Sequence, residues 1–480
     1  MSVLTTVQLG SFSLERFESV LDGETYQQLM ERAGQAREIL DGRAVWHVNS
    51  TARGGGVAEM LQALLPYARG AGVDTDWVVI EGNPDFFGVT KRIHNRLHGA
   101  EGDGGPLGDA EHRVYEEALK PNADELVDMI RDGDVVVLHD PQTAGLVEPV
   151  KAAGARVIWR CHVGLDTPNE HAREAWRFLK PYVRDADAYV FSREAFVWED
   201  LDRERGAIIA PTIDAFAPKN QELEPAVVAS ILARAELVHA PADEAAPCFT
   251  RMDGSTGRVN RRAELVEERP LEPGDRYVLQ VSRWDSLKDP LGVIQGFADH
   301  VAPGTDAHLI YAGPAVEAVS DDPEGAQVLR DARELWESLD PQARSRVHLA
   351  MLPMDDLEEN AVIVNALQRG ASLVVQKSLA EGFGLTVAEA MWKGRPVVAT
   401  RIGGIQDQIE DGESGVLLDD AADLAEYGGA VLALLEDPER ASRIGAAARE
   451  RVRERFLGTN SLLEYLQLLE PLVREGAPQP

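Results

Sequence analysis

The chain is built on short apolar runs of four or five residues, which alternate with stretches of helical periodicity. Continuous apolar strands followed by helices are typical of parallel sheets that helices cover on both faces. Six runs in each half predict two doubly wound α/β domains, whose ligands bind beyond the carboxyl ends of the strands. The runs are Ala44–Val48, Trp77–Ile80, Val135–His139, Arg156–Arg160, Ala188–Phe191, Ala207–Ala210, Tyr277–Val281, His308–Ala312, Val347–Met351, Leu373–Gln376, Pro396–Thr400 and Gly415–Leu418.

Three segments fall outside this alternation. Residues 1–43 are predicted to form a peripheral N-terminal extension with a helix from Thr25 to Leu40. The stretch Pro241–Pro273 is rich in Pro, Ala and charge and has no strong periodicity, so it is interpreted as a linker with an insertion. A last helix is expected from Asn460 to Glu475.

Composition narrows the class of protein. The 81 acidic and 48 basic residues give a formal net charge of −33, which argues against nucleic acid or an anionic membrane as the main partner. Two cysteines, Cys161 and Cys248, are too few for a disulfide framework or a metal site. No secretory signal is evident, and no apolar run approaches the roughly 20 residues that span a bilayer. A soluble cytoplasmic protein is therefore expected.

The most informative turn runs from Glu381 to Glu389 and separates an apolar run from a helical stretch. Unpaired N–H groups at Gly384, Leu385 and Thr386, together with the positive end of the helix dipole, favour an anionic ligand. The carboxylates of Glu381 and Glu389 can bind hydroxyl groups at the same place. Phosphate beside hydroxyls describes a sugar nucleotide; the alternative is an ordinary turn with solvated acids.

A second turn, Ser282–Pro290, ends the first run of the second half and carries Arg283 and Lys288. Two fixed positive groups suit a diphosphate whose charge develops as it leaves. The alternative is a solvated loop that binds nothing.

Three turns of the first half are also candidates. The first run leads into Gly54, Gly55, Gly56 and Val57, which let a ligand approach backbone N–H groups but do not form the GxGxxG of nicotinamide-binding folds. Asp140 and His162 each end a later run at the ligand-binding edge. Asp140 can bind sugar hydroxyls or cap a turn, whereas a lone histidine such as His162 can be structural.

The Glu-x7-Glu spacing of Glu381 and Glu389 resembles that of the retaining family 4 glycosyltransferases of the GT-B fold, in which two Rossmann-like domains flank a cleft. The resemblance implies that Glu381 contacts the transferred sugar, Glu389 the nucleotide ribose, Arg283 and Lys288 the diphosphate, and His162 the transferred sugar. It also implies an acceptor-side domain at residues 1–215, a nucleotide-sugar-binding domain at 216–457 and a C-terminal helix at 458–480 that crosses back to the first domain.

Three stretches, Asn49–Glu59, Glu81–Asn95 and Glu381–Gly404, look like a narrower group, the trehalose glycosyltransferring synthases and the related trehalose phosphorylases. This resemblance implies a retaining enzyme of trehalose biosynthesis that joins glucose from a nucleoside diphosphate glucose, ADP- or UDP-glucose, to free glucose. It assigns Glu81, Lys91 and Asn95 to the acceptor side. Gly403 and Gly404 follow the run Pro396–Thr400 in a turn similar to that of His139 and Asp140, where they can pack near the nucleotide. The insertion Pro241–Pro273 departs from the shorter archaeal synthases.

Two other functions stay open. A trehalose phosphorylase, which converts trehalose and phosphate to glucose 1-phosphate and glucose, needs the same cations but no ribose contact. A nonenzymatic sensor of sugar nucleotides does not need groups that stabilise a leaving diphosphate. No tightly bound cofactor and no metal site are expected, with Mg2+ at most stimulatory. The expected partners are nucleoside diphosphate glucose, glucose and trehalose, without nucleic acid or membrane, and a homodimer is allowed.

Overall fold

The computed structural model describes residues 2–53, 55–241, 246–315 and 323–474. It divides into two compact units: unit 1 comprises Met1–Thr212 with Gly458–Pro480, and unit 2 comprises Ile213–Leu457. Each unit has a seven-stranded sheet in which one edge strand is antiparallel and the others are parallel. The central strands are buried along their whole length, because helices cover both faces. The predicted pair of doubly wound α/β domains is thus confirmed.

Unit 1 orders its strands β1-β3-β2-β4-β5-β6-β7. These strands are β1 Leu4–Thr6, β2 Val45–Asn49, β3 Thr75–Ile80, β4 Val135–His139, β5 Arg156–Cys161, β6 Ala188–Phe191 and β7 Gly206–Ile208. The helices between them are α1 Gly23–Ile39, α2 Gly56–Gly70, α3 Pro84–Leu97, α4 Asp109–Met129, α5 Asp140–Thr143, α6 Val147–Ala152 and α7 Glu170–Val183. The chain reverses its direction of travel across the sheet between β2 and β4, and ligands bind at such a switch point in open α/β sheets.

The N-terminal segment, predicted as a peripheral extension at residues 1–43, forms an edge strand and the helix α1 within unit 1. Strand β1 pairs antiparallel with β3, with Leu4 opposite Ile80. Leu14 and Phe17 are buried in the short helical turn that follows. A three-residue edge strand has no apolar run, which is why the sequence pattern does not reveal it.

Unit 2 orders its main sheet β10-β13-β12-β11-β14-β15-β16, beside a separate hairpin of β8 and β9. Its strands are β8 Cys248–Thr250, β9 Thr256–Arg258, β10 Glu264–Val266, β11 Tyr277–Val281, β12 His308–Pro314, β13 Val347–Leu352, β14 Leu373–Gln376, β15 Val397–Thr400 and β16 Val416–Leu418. Its helices are α8 Pro225–Arg234, α9 Pro290–Gly296, α10 Pro323–Ser338, α11 Pro341–Arg344, α12 Leu357–Gly370, α13 Leu385–Trp392, α14 Ile405–Gln408, α15 Leu424–Glu436 and α16 Pro438–Arg455. The six parallel strands have the order of a dinucleotide-binding fold, with the switch point between β11 and β14.

The stretch Pro241–Pro273 is ordered where the structure describes it, contrary to its interpretation as a linker with an insertion. It contributes β8, β9 and the antiparallel edge strand β10. Arg251 binds Asp356 and Glu358 at the start of α12, and buried Glu359 accepts the backbone N–H groups of Asn260 and Arg261. These polar contacts fix the segment to unit 2 without an apolar periodicity that the sequence would show.

The last helix, α17, spans Gly458–Arg474 and packs within unit 1. Tyr465, Leu469 and Val473 share a hydrophobic cluster with Val45 of β2 and Val137 of β4. The unit boundaries fall after Thr212 and after Leu457, compared with 215 and 457 in the sequence analysis. Within the described ranges, none of the helices has the length and apolar character that crossing a membrane requires.

Candidate active site

The switch point of unit 2 places two of the sequence-predicted turns side by side, since β11 and β14 are neighbours in the sheet. Gly384 begins α13 with φ 80° and ψ 56°, a left-handed conformation that favours glycine. No side chain caps this helix and no acidic residue lies in its first turn. The N–H groups of Leu385 and Thr386 lack acceptors within the helix, so this end of α13 can bind an anion.

Gly403 and Gly404 pack against the turn that begins at Glu381 and leads into α13. A Cβ atom at Gly403 would lie 1.9 Å from the carbonyl oxygen of Glu381, so only glycine fits. The Gly404 N–H donates to the Gly382 carbonyl at 2.9 Å, and Gln408 donates to the Phe383 carbonyl at 2.5 Å. The two glycines, which their position after the run Pro396–Thr400 predicts to lie near the nucleotide, therefore pack directly on the backbone of the Glu381 turn.

Lys288 and Glu381 form an ion pair at this switch point. The Lys288 Nζ donates to Glu381 Oε2 at 2.6 Å, and both side chains are mostly buried, with 16% and 13% exposure. Arg283 is 68% exposed and binds Asp285, 2.9 Å away. The structure thus joins Lys288 to Glu381 and leaves Arg283 on the surface of the turn, where its side chain has room to reach a ligand.

Three residues that the sequence analysis missed hold Lys288 in place. Lys377, directly after β14, is fully buried and pairs with Asp289, which caps α9 at φ 49°. Buried Gln280 donates to the Lys288 carbonyl at 2.8 Å and accepts the Lys377 N–H at 3.1 Å. A lysine at the end of an apolar strand was a visible signal, because a buried cation requires a partner.

Glu389 is almost fully buried, with 5% exposure, one helical turn behind the start of α13. Its Oε1 lies 3.5 Å from Lys219 Nζ, and its Oε2 has no hydrogen-bond partner among the described residues. Lys393 donates to the Glu389 carbonyl at 2.9 Å and to Asn220 at 3.1 Å. Burial lowers the Lys393 pKa to about 7, although Glu389 acts in the opposite direction. The sequence analysis missed Lys219, Asn220 and Lys393.

In unit 1, the turn after β2 leads into α2. Gly55 has φ 90° and no side chain caps the helix, so its first N–H groups are available to a ligand. Gly54 lies outside the described residues. Gly55 and Gly56 are exposed, whereas the Val57 side chain packs on the cluster around Met60 and Trp77. Only the backbone of Val57 can therefore take the predicted role.

The three predicted acceptor-side residues occupy two places. Lys91 and Asn95 lie four residues apart on one face of α3, with Lys91 exposed and Asn95 half-buried. Glu81 is exposed directly after β3, and the Asn122 side chain binds both its N–H and its carbonyl group at 2.9 Å. No hydrogen bond between Glu81 and either helix residue occurs in the described part of the chain.

Asp140 links the ends of β4 and β5. It has φ 64°, and its Oδ1 accepts the His162 backbone N–H at 2.8 Å. Burial raises the pKa of this carboxyl group to about 6. One oxygen of Asp140 thus fixes the backbone at His162, a contact that the sequence did not predict.

The His162 side chain is hydrogen-bonded to His139, which is hydrogen-bonded in turn to His47. The sequence analysis missed both of these histidines. His162 Nε2 lies 3.0 Å from His139 Nδ1, and His139 Nε2 lies 3.0 Å from His47 Nδ1. Each of the three histidines lies in or directly after a different strand, so no short sequence motif contains them all. Among the described residues, no group of three or more His, Cys, Asp or Glu is arranged to hold a metal ion.

Comparisons with known proteins agree with this geometry. The family profile "Trehalose synthase, N-terminal domain" matches residues 47–198, and "Glycosyl transferases group 1" matches residues 261–451. The trehalose synthase of Pyrococcus horikoshii is 35% identical over 96% of this chain and 97% of its own. A trehalose phosphorylase of Pleurotus sajor-caju is 25% identical over 84% of this chain and 54% of its own.

Solved structures support the fold. The sucrose-phosphate synthase of Thermosynechococcus elongatus superimposes with a TM-score of 0.58 at 18% identity, covering 90% of this chain and all of the other. At this identity the likeness concerns the GT-B fold alone. The profile matches and the 35% identity along nearly the whole chain carry the family assignment. This chain is a glycosyltransferase of the GT-B fold and belongs to the trehalose synthase family.

Proposed function

We propose that this enzyme transfers glucose from a nucleoside diphosphate glucose to free glucose, with retention at the anomeric carbon, to give α,α-trehalose. One observation carries the nucleotide part: Glu389 Oε2 is buried behind the uncapped start of α13 without a hydrogen-bond partner in the described chain. A buried acceptor without a partner costs about 1–3 kcal/mol, which ribose hydroxyls donating to Glu389 would recover. The names of the related trehalose synthases support the choice of product.

The donor side follows from the switch point of unit 2. The diphosphate binds the N–H groups of Leu385 and Thr386, where the helix dipole is positive. Lys288 exchanges its contact with Glu381 for one with the diphosphate, and the exposed Arg283 turns from Asp285 to the same group. Glu381, released from Lys288, accepts hydrogen bonds from hydroxyls of the donor glucose.

The transfer step needs no covalent enzyme intermediate in this proposal. The bond between the anomeric carbon and the diphosphate oxygen breaks, and its electron pair remains on that oxygen. The anomeric hydroxyl oxygen of the acceptor glucose forms the new bond on the same face, and its proton passes to the leaving oxygen. Arg283, Lys288 and the start of α13 stabilise the negative charge that develops on the leaving oxygen. Such electrostatic stabilisation of the transition state is usually the largest single contribution to catalysis.

The acceptor side is assigned to unit 1. We place His162 and Asp140 near the transferred glucose and Glu81, Lys91 and Asn95 near the acceptor glucose, with Gly55, Gly56 and the Val57 N–H at the start of α2. The mixture of exposed carboxylate and ammonium groups with a half-buried amide suits a neutral sugar, whose hydroxyls both donate and accept hydrogen bonds.

The test supplies the protein and glucose with ADP-glucose, UDP-glucose, GDP-glucose or glucose 1-phosphate in separate reactions. The expected result is a nonreducing α,α-disaccharide and free nucleoside diphosphate from at least one nucleotide donor, identified by chromatography and by NMR of the anomeric protons. Disaccharide from glucose 1-phosphate alone would establish the phosphorylase, which the Pleurotus relative makes the second candidate. Tight binding of a nucleotide sugar without any transfer would establish the sensor.

A variant of matched size, Glu389→Gln, tests whether Glu389 contacts the ribose of the donor. Glu389→Gln keeps the size of the side chain and removes its charge and one acceptor. We expect it to weaken the binding of the nucleotide donor and to leave any use of glucose 1-phosphate unchanged. Equal losses with both donors would contradict the assignment of Glu389 to the ribose.

A further inference from the structure

Three histidines form a continuous hydrogen-bonded chain at the switch point of unit 1. His47 lies in β2, His139 ends β4 and His162 follows β5, on strands that are consecutive in the sheet. Both hydrogen bonds measure 3.0 Å between nitrogens. The rings lie edge to edge and are nearly coplanar, with centroids 5.3 and 5.4 Å apart and interplanar angles of 25° and 14°. Because His139 takes part in both hydrogen bonds, the three imidazole rings form one connected chain.

The three histidines carry no net charge. Arg160 is fully buried beside them and is held by the Tyr465 hydroxyl and by the Ile209 carbonyl at 3.2 Å. Arg160 has no ion pair within the described residues, and its positive charge acts both on the carboxyl group of Asp140 and on the neighbouring rings. Burial and this charge lower the His47 pKa to about 3, and they lower the pKa values of the other two histidines well below the usual range. The imidazole rings of all three histidines are therefore uncharged at neutral pH.

Neutral rings must share their protons in a fixed order. A neutral imidazole has one N–H donor and one bare nitrogen that accepts. His139 is bonded at both nitrogens, so it donates at one and accepts at the other. The two hydrogen bonds therefore point in the same direction along the three rings. The proton position on His47 consequently decides whether the remaining nitrogen of His162, Nδ1, is a donor or an acceptor.

The environment of His47 selects one direction. His47 lines a cavity of about 80 Å³ whose walls are largely aliphatic, among them Leu64, Val137 and Leu466. Its Nε2 has no hydrogen bond within the described residues. Among backbone groups, a buried N–H without a partner is rarer than an under-satisfied acceptor, and by analogy Nε2 is better left bare. His47 then carries its proton on Nδ1 and donates to His139, which donates from its own Nδ1 to His162.

We propose that His47 and His139 are positioning residues that lock His162 as a neutral imidazole with its proton on Nδ1, so that it presents a hydrogen-bond donor to a sugar oxygen. This inference rests on the proposed function only for the identity of the ligand. The lining of the cavity is mostly aliphatic, and Arg32, Thr75 and Tyr465 are among its polar members. With its proton on Nδ1, His162 acts as a donor to the substrate and does not take a proton from it.

The first test reads the protons directly. The full-length protein is labelled with 15N-histidine, and long-range 15N–1H correlation spectra are recorded at neutral pH without substrate, with each ring assigned by its His→Phe variant. We expect His47, His139 and His162 all to have the proton on Nδ1 and none to be charged. A charged ring, or His162 with its proton on Nε2, would overturn the proposal whatever reaction the enzyme catalyses.

Two variants of the middle residue test the coupling. His139→Phe keeps an aromatic ring but breaks both hydrogen bonds, whereas the His139→Gln amide can accept from His47 and donate to His162 in the original direction. We expect His162 to become a mixture of tautomers in His139→Phe and to return to the Nδ1–H form in His139→Gln. Because one neutral hydrogen bond is weakened, kcat/KM should fall about 2- to 10-fold in the first variant and recover in the second.

A second histidine pair supplies the control. His308 and His348 of unit 2 share a 2.9 Å hydrogen bond, and His348 also binds Glu267 at 2.8 Å. Their tautomers should not change in either His139 variant, which distinguishes loss of the histidine chain from a general loss of structure. A His162 tautomer that is unchanged in His139→Phe, with this control intact, would refute the coupling even if trehalose synthesis is confirmed.

Discussion

Lys377→Met is expected to destabilise unit 2 and to disturb Lys288 without removing any group that binds a ligand. Lys377 is fully buried, and its ammonium group pairs with Asp289, which caps α9 from a left-handed backbone conformation. Removal of the cation leaves a carboxylate that is 17% exposed without its counter-charge. The Lys377 N–H still binds Gln280, so the backbone at the end of β14 is retained.

The magnitude follows from the burial of the pair. Removing one partner of a buried ion pair costs about 3–5 kcal/mol, because the other charge stays buried. Asp289 keeps the N–H of Gly292 at 3.0 Å and some contact with solvent, so the lower end, about 3 kcal/mol, applies here. Asp289→Asn removes the charge but preserves a residue type that tolerates the left-handed conformation. The double variant should therefore be more stable than the sum of the single losses predicts.

The assay is urea unfolding followed by the fluorescence of tryptophan, including buried Trp284 of unit 2, with kinetics measured on the same samples. The two units can unfold separately, so the transitions are fitted individually. We expect a coupling energy of at least about 1.5 kcal/mol between the two substitutions, within the range for residues in contact. Additive losses within about 0.5 kcal/mol would refute the reasoning that the pair, and not packing alone, fixes this turn.

Three further outcomes are expected. Glu389→Ala should weaken the binding of free nucleoside diphosphate by about 1–3 kcal/mol in calorimetry, and wild-type affinity would remove Glu389 from the ribose site. Arg283→Ala and Lys288→Ala should each lower kcat/KM about 10²- to 10³-fold, and unchanged kinetics in a folded variant would exclude that residue. Asp140 has a pKa raised from 3.8 to about 6, so the folded state loses stability as pH rises between these values. Relative to Asp140→Asn, the wild type should lose up to about 3 kcal/mol between pH 4 and 7 in denaturant titrations, whereas parallel profiles would contradict this.

The sequence predicts the parallel strands well because both faces of each sheet are covered, so most positions of the central strands are apolar. The run Val135–His139 is a strand with the same bounds in the structure. The antiparallel strands β1 and β10 are missed because three residues at a sheet edge carry no such pattern. Their position depends on pairing with β3 and β13, which lie 70 or more residues away along the chain.

The site was predictable where the residues that would bind the ligand lie close together in the sequence. Glu381 and the start of α13 lie within one turn, and a glycine-bearing turn between an apolar run and a helix is typical of a loop that binds an anion. His47 and His139 were missed because 92 residues separate these two hydrogen-bonded partners and 23 residues separate His139 from the predicted His162. Only the strand order β2-β4-β5 makes them neighbours, and that order is a property of the whole sheet.

The discontinuity of unit 1 has a consequence for synthesis on the ribosome. Its first segment ends at Thr212 and its last helix begins at Gly458, so all of unit 2 is translated in between. At about 5–20 residues per second, the first segment waits on the order of 10–50 seconds for α17. During that interval Val45 and Val137 lack the cover of Leu469 and Val473, and Arg160 lacks the hydroxyl of Tyr465. The domain that leaves the ribosome first is therefore completed last, and its uncovered sheet is the part of the nascent chain that a chaperone would need to protect.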